Sequence, residues 1–202
     1  QTFIRRKSKM RIQAMLLGAL LTACAPGGET NDSAAPGPQT DSVAGTATTA
    51  ATSTRPQARD AEHEFLRMMV DHHEGLIEMA SAAMTRASRS STQGDAHQLH
   101  TKQEEDQQRM LAMLRTQYSD SMTPMILPGN RAMIDSLAGK TGASYDTTFY
   151  QSIIAHHDEG VRMMDQHLAH LSKPEVRQMA ERMKTEQQRE IVEFRRKVGG
   201  GQ

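Results

Sequence analysis

The chain has 202 residues, including nine histidines, 15 methionines, four phenylalanines, three tyrosines and no tryptophan, and its formal charge is zero. This length suits one domain of ordinary size with flanking segments. The first 23 residues hold five of the 24 basic side chains and no acidic one, which leaves 19 basic against 24 acidic side chains and a net charge of −5. A mildly acidic body argues against nucleic acid as a partner.

The N-terminal segment predicts a lipoprotein signal peptide over residues 1–23. A basic start precedes an apolar run of about 12 residues, which is too short to span a bilayer as a helix. Small residues then lead to the only cysteine, in the order LTAC, which resembles a bacterial lipobox. We expect cleavage before Cys24 and lipid attachment to it, so that the protein faces the periplasm or the exterior from a membrane anchor. The alternative is an ordinary secretory peptide with an incidental cysteine.

Residues 24–57 are predicted to be a disordered tether. Alanine, glycine, serine, threonine, proline and aspartate dominate this segment, and it has too few large apolar side chains to fold. The folded region is expected at residues 58–200.

An internal duplication with a constant offset of 84 residues accounts for the folded region. Phe65 is equivalent to Phe149 at this offset, and the match continues into the next segment of each copy. Each copy, at about residues 60–118 and 144–198, contains two segments whose apolar residues recur at helical spacing. The pattern predicts two repeated helical hairpins that form an all-α four-helix bundle.

Boundary signals refine this prediction. The sequence SKPE at residues 172–175 has the spacing of a capping box with proline in the first turn, so a helix should begin there. The repeat places Gly94 inside the second helix, at a cost of about 1 kcal/mol. Between the two copies we expect a loop with one short helix at residues 130–137.

Histidine pairs stand in both copies where packing residues are expected. His72 and His156 lie at the centre of the apolar stripes of their helices, and His73 and His157 lie at the flank. A lone histidine on such a face is usually a core residue with a hydrogen-bond partner. Here the pair, with a methionine seven residues after its first member, occurs twice. Imidazole together with soft thioethers is the ligand combination that suits copper.

The candidate metal ligands are histidines and methionines of the first and third long helices: Met69, His72, His73, Met79, His156, His157, Met163, Met164 and His167. Polar residues also interrupt the apolar stripes of the other two helices, and burying them unpaired would be costly. Folding each hairpin at its turn should bring Asp106 level with His72 and Glu190 level with His156. These carboxylates would then orient the metal-binding rings from outside, in a set that comprises Gln103, Asp106, Gln187 and Glu190.

The paired HH…M helices, each followed by Q-x-x-[DE]-x-x-x-[MF], resemble the domain-of-unknown-function family 305 over about residues 60–198. The matching residues are His72, His73, Met79 and Gln103 in the first copy, and His156, His157, Met163 and Gln187 in the second. The resemblance implies a ferritin-like helical bundle, and some family members are secreted or periplasmic copper-binding proteins linked to copper tolerance. This chain has Ile153 where the first copy has Met69, and Gly160 where it has Leu76, which argues against two equal sites.

Three functions are compatible with the sequence. The first is an extracytoplasmic, lipid-anchored protein that sequesters or carries copper, as Cu(I), or Ag(I), without catalysis, so that its partners are the membrane and the metal ion. The second is a metal-free structural or interaction bundle whose histidines pair with carboxylates, or titrate as a pH sensor. The third is a carboxylate-bridged di-iron enzyme. That enzyme requires Glu-x-x-His motifs, and Met69 stands in place of the glutamate three residues before His72.

Overall fold

The structure is a computed structural model and describes residues 55–200. Within this range the chain forms five α-helices and no strand: α1 (Ala61–Arg86), α2 (Ser90–Tyr118), α3 (Pro128–Ala138), α4 (Gly142–Leu168) and α5 (Pro174–Gly199). The predicted all-α bundle of two hairpins is confirmed, and α3 is the short helix expected between them. The predicted signal peptide, Cys24 and most of the predicted tether lie outside the described residues.

The two hairpins pack through their first helices. α2 packs along α1 and α5 packs along α4, while α1 and α4 meet at the centre of the bundle. α1 and α4 are antiparallel, because Glu62 near the start of α1 bonds to Ser172 beyond the end of α4. α3 packs on α1 and α4, whereas α2 and α5 make little contact with each other on the other side of that pair.

The duplication gives the bundle approximate two-fold symmetry. Residues 84 positions apart meet directly at two places, His72 against His156 in the interior and Lys102 with Glu186 between α2 and α5. Equivalent residues can meet only close to the symmetry axis. The approximate axis therefore runs from the α1–α4 contact outward between α2 and α5.

Two equivalent carboxylates, Glu62 and Asp146, join the hairpins at opposite ends of the bundle. Glu62 Oε1 accepts hydrogen bonds from the Ser172 hydroxyl at 2.7 Å and from the backbone N–H groups of Ser172 and Lys173, just before α5. Asp146 accepts from the backbone N–H and the hydroxyl of Ser88, at 2.7 and 2.9 Å, just before α2. Each inner helix thus satisfies free N–H groups ahead of the outer helix of the other hairpin.

The predicted capping box at residues 172–175 is wrong, although α5 does begin at Pro174 as expected. The N-cap residue is Lys173, which makes no side-chain capping bond, and the Ser172 hydroxyl donates to Glu62 instead. Burial alone would raise the pKa of Glu62, but the hydrogen bonds from Lys173 and Ser172 outweigh it and lower the pKa to about 2. The carboxylate of Glu62, which is distant in the chain, therefore accepts the hydrogen bonds that a carboxylate within the capping box was expected to accept.

Two hydrophobic clusters fill the bundle, one at each end of the α1–α4 pair. The first cluster includes Phe65 and Leu114, and the second includes Leu76 and Phe149. Five buried methionines belong to the first cluster and one to the second, so soft sulfur atoms are concentrated on one side of the bundle centre.

Gly94 lies inside α2, as predicted, with open space around it. No helix between residues 55 and 200 is long and apolar enough to cross a membrane.

Candidate metal site

Four histidines form a fully buried layer between the two hydrophobic clusters. His72 and His73 lie on α1, His156 and His157 lie on α4, and each is 0% exposed. We call these four residues the histidine layer. Successive residues of an α-helix point about 100° apart, so one ring of each pair faces the other inner helix and the second ring faces the flank. The sequence prediction that these side chains point inward agrees with this arrangement.

The rings of His72 and His156 stack on the approximate two-fold axis. Their centroids lie 3.8 Å apart, with an angle of 32° between the ring planes. The flanking rings stand nearly edge-on to them, with centroid distances of 6.3 Å between His72 and His73 and 5.9 Å between His156 and His157. All four imidazoles therefore belong to one continuous group.

Two of these rings have a tautomer that their surroundings define. His156 Nε2 lies 3.0 Å from the backbone oxygen of His72, and His73 Nδ1 lies 2.8 Å from that of Met69. A carbonyl oxygen can only accept, so each of these nitrogens carries the proton and donates it. The lone pairs of His156 Nδ1 and His73 Nε2 remain available, which is the state in which imidazole binds a metal.

Six buried ring nitrogens of the histidine layer have no hydrogen-bond partner among the described residues: His72 Nδ1 and Nε2, His73 Nε2, His156 Nδ1, and His157 Nδ1 and Nε2. Leaving a buried polar atom unpaired costs about 1–3 kcal/mol, and native interiors contain few such atoms. So many at one place make the histidine layer the candidate ligand site of the described chain.

Burial keeps the imidazoles of His72, His73 and His156 neutral. It lowers the pKa of His72 to about 3 and that of His73 to about 4, and the neighbouring histidines add repulsion between charged rings. The pKa of His156 is also well below its ordinary value, again mainly through burial and then through the proximity of His72. A neutral imidazole is the form that coordinates a metal ion.

Glu190 faces His157, and not His156 as predicted. Glu190 Oε2 lies 2.8 Å from His157 Nε2 without forming a hydrogen bond. The prediction failed because α5 lies at the flank of α4, where the second ring of the pair points.

Asp106, the equivalent carboxylate of the first hairpin, does not pair with His72 as predicted. It forms an ion pair of 3.3 Å with Arg109 and makes no hydrogen bond or ion pair with a histidine of the described chain. Burial raises the pKa of Asp106, and the positive charges of Arg109 and Lys102 oppose that shift. The two carboxylates of the repeat therefore have different roles.

Gln187 is buried beside the histidine layer, and Gln103 is buried on α2. Both amide atoms of Gln187 and the Oε1 atom of Gln103 have no partner within residues 55–200. Gly160 explains how Gln187 fits, because a Cβ at this position would collide with Gln187 Oε1 and would lie 3.0 Å from His72 Cε1. The glycine that replaces Leu76 of the first copy thus makes room for these polar groups.

The methionine candidates divide into two groups. Met69 and Met164 are fully buried in the first cluster, which borders the histidine layer through the bond between His73 and the Met69 carbonyl. Met79 lies in the second cluster, about 10 Å along α1 from His72. Met163 lies a similar distance along α4 from His156, in the opposite direction because the helices are antiparallel.

The structure therefore does not bring Met79, Met163 or Met164 to the histidine layer, nor His167. The His167 ring donates from Nδ1 to the Met163 carbonyl at 2.9 Å and packs against Phe65, with 6.0 Å between the ring centroids. These four candidates lie outside the layer because each is separated from it along its helix by about two turns or more.

Sequence reasoning missed two polar residues that border the layer. Asn130 of α3 is buried against Gly75, and its Nδ2 donates to the His72 backbone oxygen at 3.3 Å. Gln107 is buried and donates to Glu74 at 2.8 Å. Its place four residues after Gln103 on the same stripe was a usable signal, whereas nothing near Asn130 in the sequence indicates its contact.

The donor set suits a soft ion that needs few ligands. Among residues 55–200, no three histidine, aspartate or glutamate side chains converge closely enough to hold an ion by themselves. Imidazole nitrogens and the neighbouring thioether of Met69 are nevertheless the donors that copper in its lower oxidation state prefers. The residues present fit a Cu(I) or Ag(I) ion better than a hard cation.

A family comparison agrees with the motifs. The sequence profile of the domain of unknown function DUF305 matches residues 5–114 and 115–198. The chain belongs to the DUF305 family. The family prediction made from the paired HH…M helices is thereby confirmed. No curated protein matches the chain.

Solved structures of DUF305 proteins share the fold. A DUF305 fragment from Deinococcus radiodurans is 23% identical, with a TM-score of 0.62, over 71% of this chain and 99% of its own. A candidate secreted DUF305 protein from Streptomyces coelicolor is 20% identical, with a TM-score of 0.61, over 67% and 88%.

CopM in its Cu(I)-bound form is 21% identical, with a TM-score of 0.61, over 69% of this chain and 96% of its own. CopM structures with bound Cu(II) and with bound silver are similar to the chain to the same degree. At these identities the likeness establishes the helical bundle.

Proposed function

We propose that this DUF305 protein binds Cu(I), or its soft relative Ag(I), at the histidine layer and sequesters or carries the ion without chemical turnover. The observation that carries the proposal is the set of six unpartnered ring nitrogens in four fully buried histidines. A bound ion would satisfy nitrogens that otherwise destabilise the core. The copper-bound and silver-bound forms of CopM, which has the same fold, support this choice of ion.

The proposed ligands come from the histidine layer and from the first cluster. His73 Nε2 and His156 Nδ1 offer lone pairs because their other nitrogens are protonated, and Met69 offers a thioether. Gln187 and Gln103 would orient the rings, as groups next to metal ligands commonly do. A binding role is proposed instead of catalysis, because a carboxylate-bridged di-iron centre needs several converging carboxylates.

We further propose that the protein acts outside the cytoplasm, attached to a membrane by lipid on Cys24. The sequence LTAC at residues 21–24 supports the attachment, and the description of the Streptomyces coelicolor relative as a candidate secreted protein agrees with the location. Neutral imidazole and thioether ligands suit this setting, because they bind copper without a thiol that could oxidise.

Equilibrium dialysis against buffered Cu(I) tests the proposal. The full chain should carry Cys24→Ser, since a thiolate would bind Cu(I) by itself. We expect at least one ion per chain at micromolar affinity or tighter, and loss of that ion when His72, His73, His156 and His157 are all changed to alanine.

The matched control replaces the exposed histidines His97 and His170 by alanine in the same background. It should bind as much copper as the parent. Binding below one ion per chain in the parent, or equal loss in both variants, would contradict the proposal.

A further inference from the structure

The histidine layer is covered differently on its two sides. On one side, α3 packs over α1 and α4, and its Asn130 side chain donates a hydrogen bond to the His72 backbone oxygen. On the other side, α2 and α5 leave a cleft between them, and residues of both helices line it. An ion that approaches from the α3 side must displace a packed helix, whereas on the α2–α5 side it has only side chains to pass.

One ion pair divides this cleft into two openings. Lys102 of α2 reaches Glu186 of α5, and both residues line each opening. The opening towards the first cluster has a volume of about 220 Å³, and the one towards the second cluster about 150 Å³. Because Lys102 and Glu186 are equivalent in the repeat, their bridge lies on the approximate two-fold axis, on the same line as the stacked rings of His72 and His156.

Each opening also contains one of the repeated carboxylates. Asp106 lines the larger opening and Glu190 the smaller one. Glu190 reaches inward, with Oε2 2.8 Å from the fully buried His157 Nε2. It is the one side chain of the described cleft that both lines an opening and approaches a ring of the histidine layer.

We infer that ions reach the histidine layer through the α2–α5 cleft. On this route Glu190 transfers the ion to His157. The Lys102–Glu186 bridge, which we call the bar, obstructs the route. This inference rests on the proposed function. A carboxylate at the opening attracts a cation from solvent and concentrates it there. The adjacent imidazole of His157, which lies 2.8 Å from this carboxylate, is the softer ligand and then takes the ion from the weaker oxygen ligand.

The bar changes the rates of ion uptake and release but does not change the dissociation constant. Lys102 and Glu186 are not ligands, so opening the bridge lowers the barrier in both directions equally. Association and release should therefore accelerate together, with the dissociation constant unchanged. A residue that contributes only to the fold would change the stability without this paired effect on rates.

Stopped-flow measurements with a Cu(I) chelator that changes absorbance test the route, with the full chain in the Cys24→Ser background. Lys102→Met should raise the rates of Cu(I) uptake and of release by about two- to fivefold each. The double variant Lys102→Glu with Glu186→Lys restores the bridge with its charges exchanged, and it should return both rates to the parent values.

Three further variants test the bar and the role of Glu190 separately. Arg182→Met removes one positive charge from the same cleft without breaking the bridge, and it should leave the release rate unchanged. Glu190→Gln should slow uptake about threefold or more, while Glu78→Gln, at an exposed position of α1, should not.

The outcomes separate the two proposals. Copper binding with unchanged rates in Lys102→Met and Glu190→Gln would overturn the route and leave the proposed function standing. Faster release in Arg182→Met to the same degree would overturn the bar. Absence of copper binding in the parent would overturn both. Circular dichroism of each variant confirms that a changed rate does not come from misfolding.

Discussion

His156 donates its Nε2 proton to the backbone carbonyl of His72, the residue on whose ring it stacks. The two residues are equivalent in the repeat, yet their rings differ in bonding. His156 has one nitrogen bonded and one available, whereas both nitrogens of His72 lack a partner in the described chain. The His72 ring therefore destabilises a metal-free core.

Replacing His72 by leucine should stabilise the metal-free protein and weaken copper binding. Leucine removes two unpaired buried nitrogens, so we expect the free energy of unfolding to rise by about 1–3 kcal/mol. Urea denaturation measures this change, and equilibrium dialysis measures the loss of affinity. A destabilised variant with normal affinity would contradict the role given to His72.

Acid should destabilise the metal-free protein through the histidine layer. The pKa is lowered to about 3 for His72 and about 4 for His73, mainly by burial, while the unfolded chain takes up these protons near pH 6.5. The unfolded state therefore binds more protons below that pH, and the free energy of unfolding falls as the pH falls from 6.5 towards the folded pKa values. Each such histidine contributes up to about 1.4 kcal/mol per pH unit.

Urea denaturation at a series of pH values from about 7.5 to 5 tests this dependence. His72→Leu is the matched control, because it should reduce the slope by the contribution of one histidine. A stability that does not change over this range would show that the rings are protonated, or hydrated, in the folded protein.

Two glycine substitutions should differ in their effect on copper affinity. Gly160→Ala places a Cβ against Gln187 and 3.0 Å from His72 Cε1, so it should displace the rings and weaken copper binding at least about tenfold. Gly94→Ala lies in a helix with open space around it, and it should stabilise the protein by about 0.5–1 kcal/mol without a change in affinity. Equal affinities in both variants would contradict the role of Gly160.

Removing the charge of Glu62 should loosen the junction before α5. Glu62→Gln loses a carboxylate that accepts three hydrogen bonds from Ser172 and Lys173, at an expected cost of about 1–3 kcal/mol. Thermal unfolding measures this cost, with Glu64→Gln, an exposed acid in the same turn of α1, as the control. Since the pKa of Glu62 is lowered to about 2, its contribution is present above about pH 4.5 and disappears as the pH falls through 2.

The helical period predicted the bundle and the burial of the histidines, but it could not predict which side chains meet. A stripe defines the inward face of a helix, and this put His72 and His156 at the centre of the bundle correctly. Adjacent rings diverge by about 100°, so the pairing of Glu190 with His157 depended on where α5 lies around α4. That angle is a property of the assembled hairpins.

The packing of the hairpins also determines where the methionines lie relative to the histidines of the partner helix. Met79 and Met163 follow the histidines at the same spacing in both copies, but antiparallel packing sends them to opposite ends of the bundle. The capping role of Glu62 on Ser172 and the contact of Asn130 with His72 join residues far apart in the chain. Local patterns carry no information about such contacts.

The bridge between Lys102 and Glu186 has a consequence for the origin of the bundle. If a single hairpin associated with an identical copy of itself, position 102 would face its own counterpart across the axis, lysine against lysine or glutamate against glutamate, and the like charges would repel. Linking two hairpins in one polypeptide allows each copy to change alone. An ion pair between equivalent positions on the two-fold axis can therefore form in two covalently fused hairpins, but it cannot form in a homodimer.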